Sequence, residues 1–189
     1  MADLPIMAFA DAQAWEAWLD DHHLEAPGIW MKFAKKGTGV QTVNYAEGVE
    51  VALCFGWIDG QARKLDDTYW LQRFTPRRRR SMWSQINVGR AEAMIEQGRM
   101  RPRGLEEIER AKADGRWDAA YPSPANATVP DDLQQALDQN PEAKAFFEQL
   151  TSGNRFAILN RISMAKKPET RQKRIDQFIV MLNEKKTIY

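Results

Sequence analysis

The chain has little of what disulfides, metal sites and membrane spans require. Its 189 residues include one cysteine, Cys54, and two histidines, His22 and His23. A single thiol has no disulfide partner, and these three side chains do not make a zinc ligand set. No window approaches the roughly 18 apolar residues of a membrane span, and the start of the chain has no export signal. We therefore expect a cytoplasmic protein with no membrane span, no metal and no cofactor.

Sequence motifs of catalysis are missing as well. The chain has no G-x-S-x-G motif, and Gly37 and Gly39 lack the spacing and the Lys-Ser/Thr pair of a phosphate-binding loop. Cys54 lies in an apolar stretch, which predicts a buried and unreactive thiol. We therefore assign no catalytic residue and expect a protein that is not an enzyme. An enzyme that uses a carboxylate as acid or base stays open as an alternative.

Hydrophobic residues make up 43% of the chain and the net charge is +1, which is enough apolar surface for one substantial core or two small ones. Apolar residues alternate in segment 29–36, and segments 57–65 and 69–75 read as extended and are separated by the turn residues Asp66, Asp67 and Thr68, which predicts three strands, the last two as a hairpin. Residues 1–120 therefore read as an α+β domain with a small, mainly antiparallel sheet and helices packed on it.

Helices are predicted from apolar spacing and from their capping residues. Asp11 and Asn44 are candidate N-caps, and the histidine pair suits a helix C-terminus. A third helix should begin near Ser81 or Ser84 with an inward face, and a fourth should span about 105–113. The expected inward residues of the third helix are Ile86, Ala91, Met94 and Ile95.

The C-terminal part of the chain is predicted to be purely helical. Segment 121–130 contains three prolines and reads as a linker. Residues 131–189 then show helical periodicity throughout, with Asp131 as an N-cap and with Pro141 and Pro168 in first turns. We expect a helical unit that packs on the first domain through its large apolar residues, namely Phe146, Phe147, Phe156, Ile158, Leu159, Ile175, Phe178 and Ile179.

Several motifs resemble those of a known family. They are Tyr45 and Glu47 followed by LCFGWIDG at 53–60, then Asp67, Tyr69 and QRFTPR at 72–77, then Ser81, Trp83, Ser84 and Asn87. In the tail they are Asn154, Arg155, Leu159, AKKPETR at 165–171, Arg174 and Ile175. Together these segments resemble the YdeI/OmpD-associated (bacteriocin-protection, OmdA-like) family over nearly the whole chain, from about Trp15 to the end.

This resemblance implies a bacterial protein with a protective or stress-related role rather than a defined reaction. It transfers no catalytic residue to this chain. A cytoplasmic protein without a membrane segment does not meet an outer-membrane porin unaided, so we expect any protective effect to be indirect.

One group of polar residues predicts a ligand site. Arg73, Thr75 and Arg77 occupy alternate positions and should share one face of their strand. If Asp59 lies opposite this row, it would pair with Arg73, and the pocket would be ringed by Trp57, Trp83, Ser84 and Asn87. Such a pocket would bind a small anionic ligand or an acidic protein partner. The alternative is that Asp59 and Arg73 form an internal ion pair and that the tryptophans belong to the core.

A second basic feature follows immediately. Nine arginines lie between Arg73 and Arg103, against only Glu92 and Glu96. With aromatic residues nearby, such a patch could bind nucleic acid, through Arg77, Arg78, Arg79, Arg80 and Arg90. The alternative is a solvated turn whose arginines pair with Glu106, Glu107 and Glu109.

Three functional hypotheses therefore stand. The first is a non-enzymatic protein that binds an anionic ligand or partner, the second is nucleic-acid binding through the Arg77 to Arg80 run, and the third is a small-molecule enzyme that uses Asp59 as acid or base. The sequence predicts no oligomeric state.

Overall fold

The computed structural model describes residues 4–189; residues 1–3, the first positions of the segment expected to hold no export signal, lie outside it. The chain divides after Ala120 into two compact units. The first has a four-stranded, mostly antiparallel sheet with four helices, and the second has four helices. The predicted α+β class is confirmed. None of the helices in the described residues is long and apolar enough to cross a membrane.

The sheet of the first unit is built around the predicted hairpin. The strands are β1 (Ile6–Met7), β2 (Ile29–Ala34), β3 (Trp57–Lys64) and β4 (Tyr69–Pro76), in the spatial order β1-β2-β4-β3. The short β1 pairs parallel with β2, and the other neighbours are antiparallel. The alternation in segment 29–36 is confirmed, because burial alternates along β2.

Four helices accompany the sheet: α1 (Ala12–His22), α2 (Tyr45–Cys54), α3 (Gln85–Glu96) and α4 (Pro102–Ala113). Asp11, Asn44 and Ser84 cap α1, α2 and α3, and Asn44 forms a full capping box with Glu47. The expected role of the histidines at the end of α1 is also confirmed, because His23 Nδ1 lies 2.7 Å from the carbonyl oxygen of Leu19.

All four helices contribute to one apolar core on one side of the sheet. Trp15, Trp57 and Phe74 are fully buried in it, and the Trp15 ring lies 5.7 Å from that of Phe74. Close packing depends on Gly104, where any Cβ would collide with the carbonyl oxygen of Cys54. We call this side of the sheet the inner face; it is carried by Ile29, Met31, Phe33 and Phe74.

Two details of the helix predictions are wrong. Ala91 and Met94 face the core as expected, but Ile86 and Ile95 are exposed. The buried face of α3 is therefore narrower than the face predicted from its apolar residues. In the second unit, Asp131 is the first residue of its helix and Pro130 occupies the cap position.

The second unit contains α5 (Asp131–Asp138), α6 (Pro141–Gln149), α7 (Ser152–Ser163) and α8 (Pro168–Asn183). Phe147, Ile158, Leu159, Ile175 and Ile179 lie in the core of this unit itself. They were expected to dock the unit onto the first domain. Docking of the unit on the first domain stays a prediction.

Candidate functional site

The sheet places Arg73 and Thr75 on the side away from the helices. Arg73 pairs with Trp30 on β2 and Thr75 pairs with Ile58 on β3. Because directly paired residues of antiparallel strands share a face, the alternation extends this surface along three strands. We call it the outer face; it consists of Trp30, Lys32, Ile58, Arg63, Tyr69, Leu71, Arg73 and Thr75.

Cations on the outer face rest on aromatic rings. The Arg63 guanidinium lies 4.1 Å from the centre of the Trp30 ring, and Lys32 Nζ lies 5.3 Å from the centre of the Tyr69 ring. Such contacts fix a charged group above an apolar surface while its outer edge stays available. None of the residues that define this face is acidic. The outer face therefore carries three cations, two of which lie over aromatic rings, while Leu71, which pairs with Lys32 and Arg63, is fully buried.

Arg73 has the most confined position of these cations. Its side chain is half-buried, and its Nε atom is buried without a hydrogen-bond acceptor among the described residues. A partly desolvated guanidinium interacts more strongly with an anion than a fully hydrated one does. Arg73 is thus the member of the face at which a bound anion would contribute most.

The predicted pairing of Asp59 with Arg73 is wrong. Asp59 pairs with Phe74 on the inner face, and the register then shifts by one residue before Ala62. This β-bulge places Gly60 and Gln61 opposite Arg73, and Gln72 Nε2 donates to the carbonyl oxygen of Gly60 at 2.8 Å. Asp59 instead accepts a hydrogen bond of 2.6 Å from the hydroxyl of Tyr45 on α2.

Arg77 is also separated from Arg73 and Thr75. It is only 4% exposed, its Nη1 donates to the carbonyl oxygen of Met82, and its guanidinium lies 3.5 Å from the centre of the Trp83 ring. Trp83 in turn contacts Trp117, with 4.8 Å between ring centres. Arg77 therefore stabilises the chain after β4 and cannot serve as an exposed nucleic-acid contact.

The remaining residues of the predicted pocket lie in the core or at the start of a helix. Trp57 is buried and its indole nitrogen donates to the carbonyl oxygen of His23. The Ser84 hydroxyl accepts from the backbone nitrogen of Asn87, and both residues are buried at the start of α3. The part of the alternative that placed the tryptophans in the core is thus correct for Trp57 and Trp83, and the eight predicted residues do not converge on one pocket.

The next three arginines form a second basic surface, which we call the arginine turn (Arg78, Arg79 and Arg80). All three are exposed on a tight turn closed by the Ser81 backbone nitrogen, which donates to the carbonyl oxygen of Arg78 at 2.8 Å. Arg116 Nη1 also stabilises the turn, because it donates a hydrogen bond to the carbonyl oxygen of Ser81. The predicted Arg90 lies on α3 and is half-buried.

Of the nine arginines between Arg73 and Arg103, all of which the structure describes, the suggested acidic partners pair only with Arg103. Glu106 pairs with Arg103, Glu109 pairs with Lys112, and the buried Glu107 pairs with both Arg103 and Arg110. Within residues 4–189, none of the arginines of the turn forms an ion pair. The alternative is therefore correct for the solvated turn and for the pairing of Arg103 with Glu106 and Glu107, and it is wrong for pairing of the arginine turn itself.

In residues 4–189, the cysteine thiol and the possible metal ligands give no sign of a reactive site. Cys54 is buried as predicted, and desolvation raises the pKa of its thiol to about 11, so the thiolate is scarce at neutral pH. In the part of the chain that the structure describes, no three His, Cys, Asp or Glu side chains come together as a metal site would need.

The sequence analysis missed the ring-supported cations at Lys32 and Arg63. The alternation in β2 and β4 contains the signal, because Trp30 and Lys32 occupy the positions between the buried Ile29, Met31 and Phe33. Their contact with β3 depends on strand register, which is not visible locally.

The fold and these surfaces define the class: an α+β unit with a basic sheet face, followed by a helical unit. Residues 7–107 match a family described as a domain of unknown function (DUF8412), and the chain belongs to that family. Residues 126–185 match the family described as "Bacteriocin-protection, YdeI or OmpD-Associated", which confirms the resemblance over the second unit. The motifs between Tyr45 and Asn87 fall within the first match. No curated protein and no solved structure matches the chain significantly.

Proposed function

We propose that the chain is a non-enzymatic protein that binds an anionic partner through the outer face of its sheet. The observation that carries this proposal is the grouping of Lys32, Arg63 and Arg73 on one face without a carboxylate among the residues that define it. Like charges brought together in this way repel one another unless an anion relieves the repulsion. An extended or branched polyanion fits cations that are spread over several strands better than it fits a closed pocket.

The aromatic rings that Arg63 and Lys32 cover favour contacts of the cations with phosphates over stacking of bases on the rings. The Trp30 ring is already covered by Arg63 and the Tyr69 ring by Lys32, so these ring faces are occupied. A guanidinium held on a ring still presents its N–H edge, and that edge matches two phosphate oxygens. We therefore expect affinity with little dependence on base sequence.

A protective or stress-related role in the cytoplasm remains part of this proposal. Its support is the match of residues 126–185 to the bacteriocin-protection family. In this account protection is indirect, because the first unit binds an anionic cellular partner rather than a bacteriocin or a porin. The enzyme hypothesis based on Asp59 stays a prediction and receives no support from its hydrogen bond to Tyr45.

A second candidate is nucleic-acid binding through the arginine turn. It is favoured by the three exposed arginines that have no acidic partner in the described residues. Arg77 no longer belongs to that set because it is buried. The two candidates require different residues, so variants can separate them.

The experiment is fluorescence anisotropy of labelled single- and double-stranded DNA and RNA, titrated with the protein at several salt concentrations. Three engaged cations predict that log Kd rises with log salt with a slope of roughly 2–3. Poly-glutamate as a competitor tells whether carboxylates replace phosphates on the same face. Absence of binding at low salt to every nucleic acid and to poly-glutamate would remove the proposal.

A further inference from the structure

A separate pocket opens at the end of the sheet, between the last residues of β2, the loop that follows and the start of α2. Its volume is about 350 Å³, within the roughly 300–1,000 Å³ of small-molecule sites. Phe33, Trp70 and Tyr45 supply its apolar wall, and the loop supplies Lys35 and Lys36. We call it the aromatic pocket; it uses none of the cations of the outer face.

The three rings lie against one another in the wall of the pocket, with Tyr45 inclined to the other two. The Phe33 and Trp70 rings are stacked with 4.9 Å between centres, and the Tyr45 ring lies 5.7 Å from that of Trp70. Phe33 is buried, whereas Trp70 is half-buried and Tyr45 is 39% exposed. Tyr45 and Trp70 therefore offer ring surface on which a planar ligand can stack.

The residues that line this pocket carry only positive charge, and two carboxylates lie next to them: Asp59 accepts from the Tyr45 hydroxyl, and Asp66 lies near Lys35. Lys35 Nζ donates to the carbonyl oxygen of Asp66 at 2.6 Å and is thereby held in place. Lys36 is exposed, and none of the residues that line the pocket is an aspartate or a glutamate. A ligand that stacks on the rings would gain further from an anionic group directed at the lysines.

We propose that the aromatic pocket binds a small planar aromatic molecule that carries an anionic group, either a nucleotide or an aromatic carboxylate. The ring of the ligand stacks against Tyr45 and contacts Trp70 with its edge, because the Tyr45 and Trp70 rings are inclined by 56° to each other, and the anionic group faces Lys36. This site is independent of the proposed outer face, because its aromatic wall comes from the inner face and from α2.

The test is isothermal titration calorimetry with AMP and with 2-naphthoate, which represent the two sources of this chemistry. We expect at least one of the two probes to bind. Adenosine and 2-naphthol lack the anionic group and ribose 5-phosphate lacks the aromatic ring, so each should bind more weakly by a factor of about ten or more. Binding of AMP alone assigns the pocket to nucleotides, and binding of 2-naphthoate alone assigns it to aromatic carboxylates.

Variants locate the binding. Tyr45→Leu should weaken it about tenfold, whereas Tyr45→Phe keeps the ring and should bind as the parent does. Lys36→Glu should weaken it, and Lys173→Glu, the same charge change at an exposed position of α8, should not. Arg63→Gln/Arg73→Gln should leave it unchanged. Failure of both probes at millimolar concentration, or equal effects of Lys36→Glu and Lys173→Glu, would overturn the proposal.

Discussion

The two basic regions of the first unit hold their charges in different ways. On the outer face, Arg63 and Lys32 lie over aromatic rings of a sheet. In the arginine turn, three side chains extend into solvent from a closed backbone turn. Binding of an anion should therefore cost less side-chain conformational entropy on the sheet, where the cations are already held, than in the turn. The density of arginine in the sequence is highest at the turn, yet the orientation that favours binding is found on the sheet.

Arg77, which directly precedes the turn, gives the largest expected effect. We expect Arg77→Ala to lower the free energy of unfolding by about 2–3 kcal/mol, because it removes a buried stem and the guanidinium that lies over Trp83. The matched change Arg79→Ala, in the exposed turn, should alter it by less than about 0.5 kcal/mol. Urea unfolding followed by tryptophan fluorescence measures both. Equal losses of unfolding free energy in the two variants would contradict the assignment of Arg77 as a buried, stabilising residue.

Arg171 in the second unit shows a third environment, an arginine with a carboxylate partner. Its Nε and Nη2 donate to the two oxygens of Asp132, and this hydrogen bonding lowers the pKa of the Asp132 carboxyl below 3.8. The contact therefore contributes stability above the unfolded-state pKa of about 4, and the contribution is lost as pH falls through the lower folded-state value.

We expect Arg171→Gln to lower the free energy of unfolding by about 1 kcal/mol at pH 7, after allowance for the solvent exposure of the pair. The difference from the parent should shrink when urea titrations are repeated at pH 2–3. Lys173→Gln is the control on the same helix and should show neither effect. A deficit for Arg171→Gln that stays constant down to pH 2 would contradict this assignment.

Asp59 gives the smallest expected effect. Because it faces Tyr45 on the inner side, Asp59→Asn should lower the free energy of unfolding by no more than about 1 kcal/mol and should leave anion binding unchanged. Chemical unfolding and the anisotropy titration report the two quantities separately. Tighter anion binding by Asp59→Asn would place the carboxylate beside the basic residues and contradict the observed register.

Local signals were sufficient for much of the fold. Asn44 and Ser84 act as caps where their side chains suggested helix starts, and the alternation around Met31 identifies β2 and its buried side. These features depend on residues within a few positions of one another, so the sequence displays them directly.

The predicted pocket failed because its geometry depends on distant contacts. The bulge near Gly60 shifts the register of β3 by one residue and moves Asp59 to the other face from Arg73. Arg77 leaves the alternation of β4 because the strand ends at Pro76, after which Trp83 provides a ring for its guanidinium. Gly60 inside β3 and Pro76 at the end of β4 are local signals for a bulge and for a strand end, but the face that Asp59 then takes and the ring that Arg77 meets depend on residues outside these segments.

The most direct test of the central claim compares salt dependence between two double variants. Log Kd for a labelled single-stranded RNA is measured against log salt for the parent, for Arg63→Gln/Arg73→Gln and for Arg78→Gln/Arg80→Gln. If the outer face binds the anion, the first variant should lose about 1.5 from the slope and the second should keep the slope of the parent. A slope that falls only in the arginine-turn variant would contradict the account and assign binding to the turn.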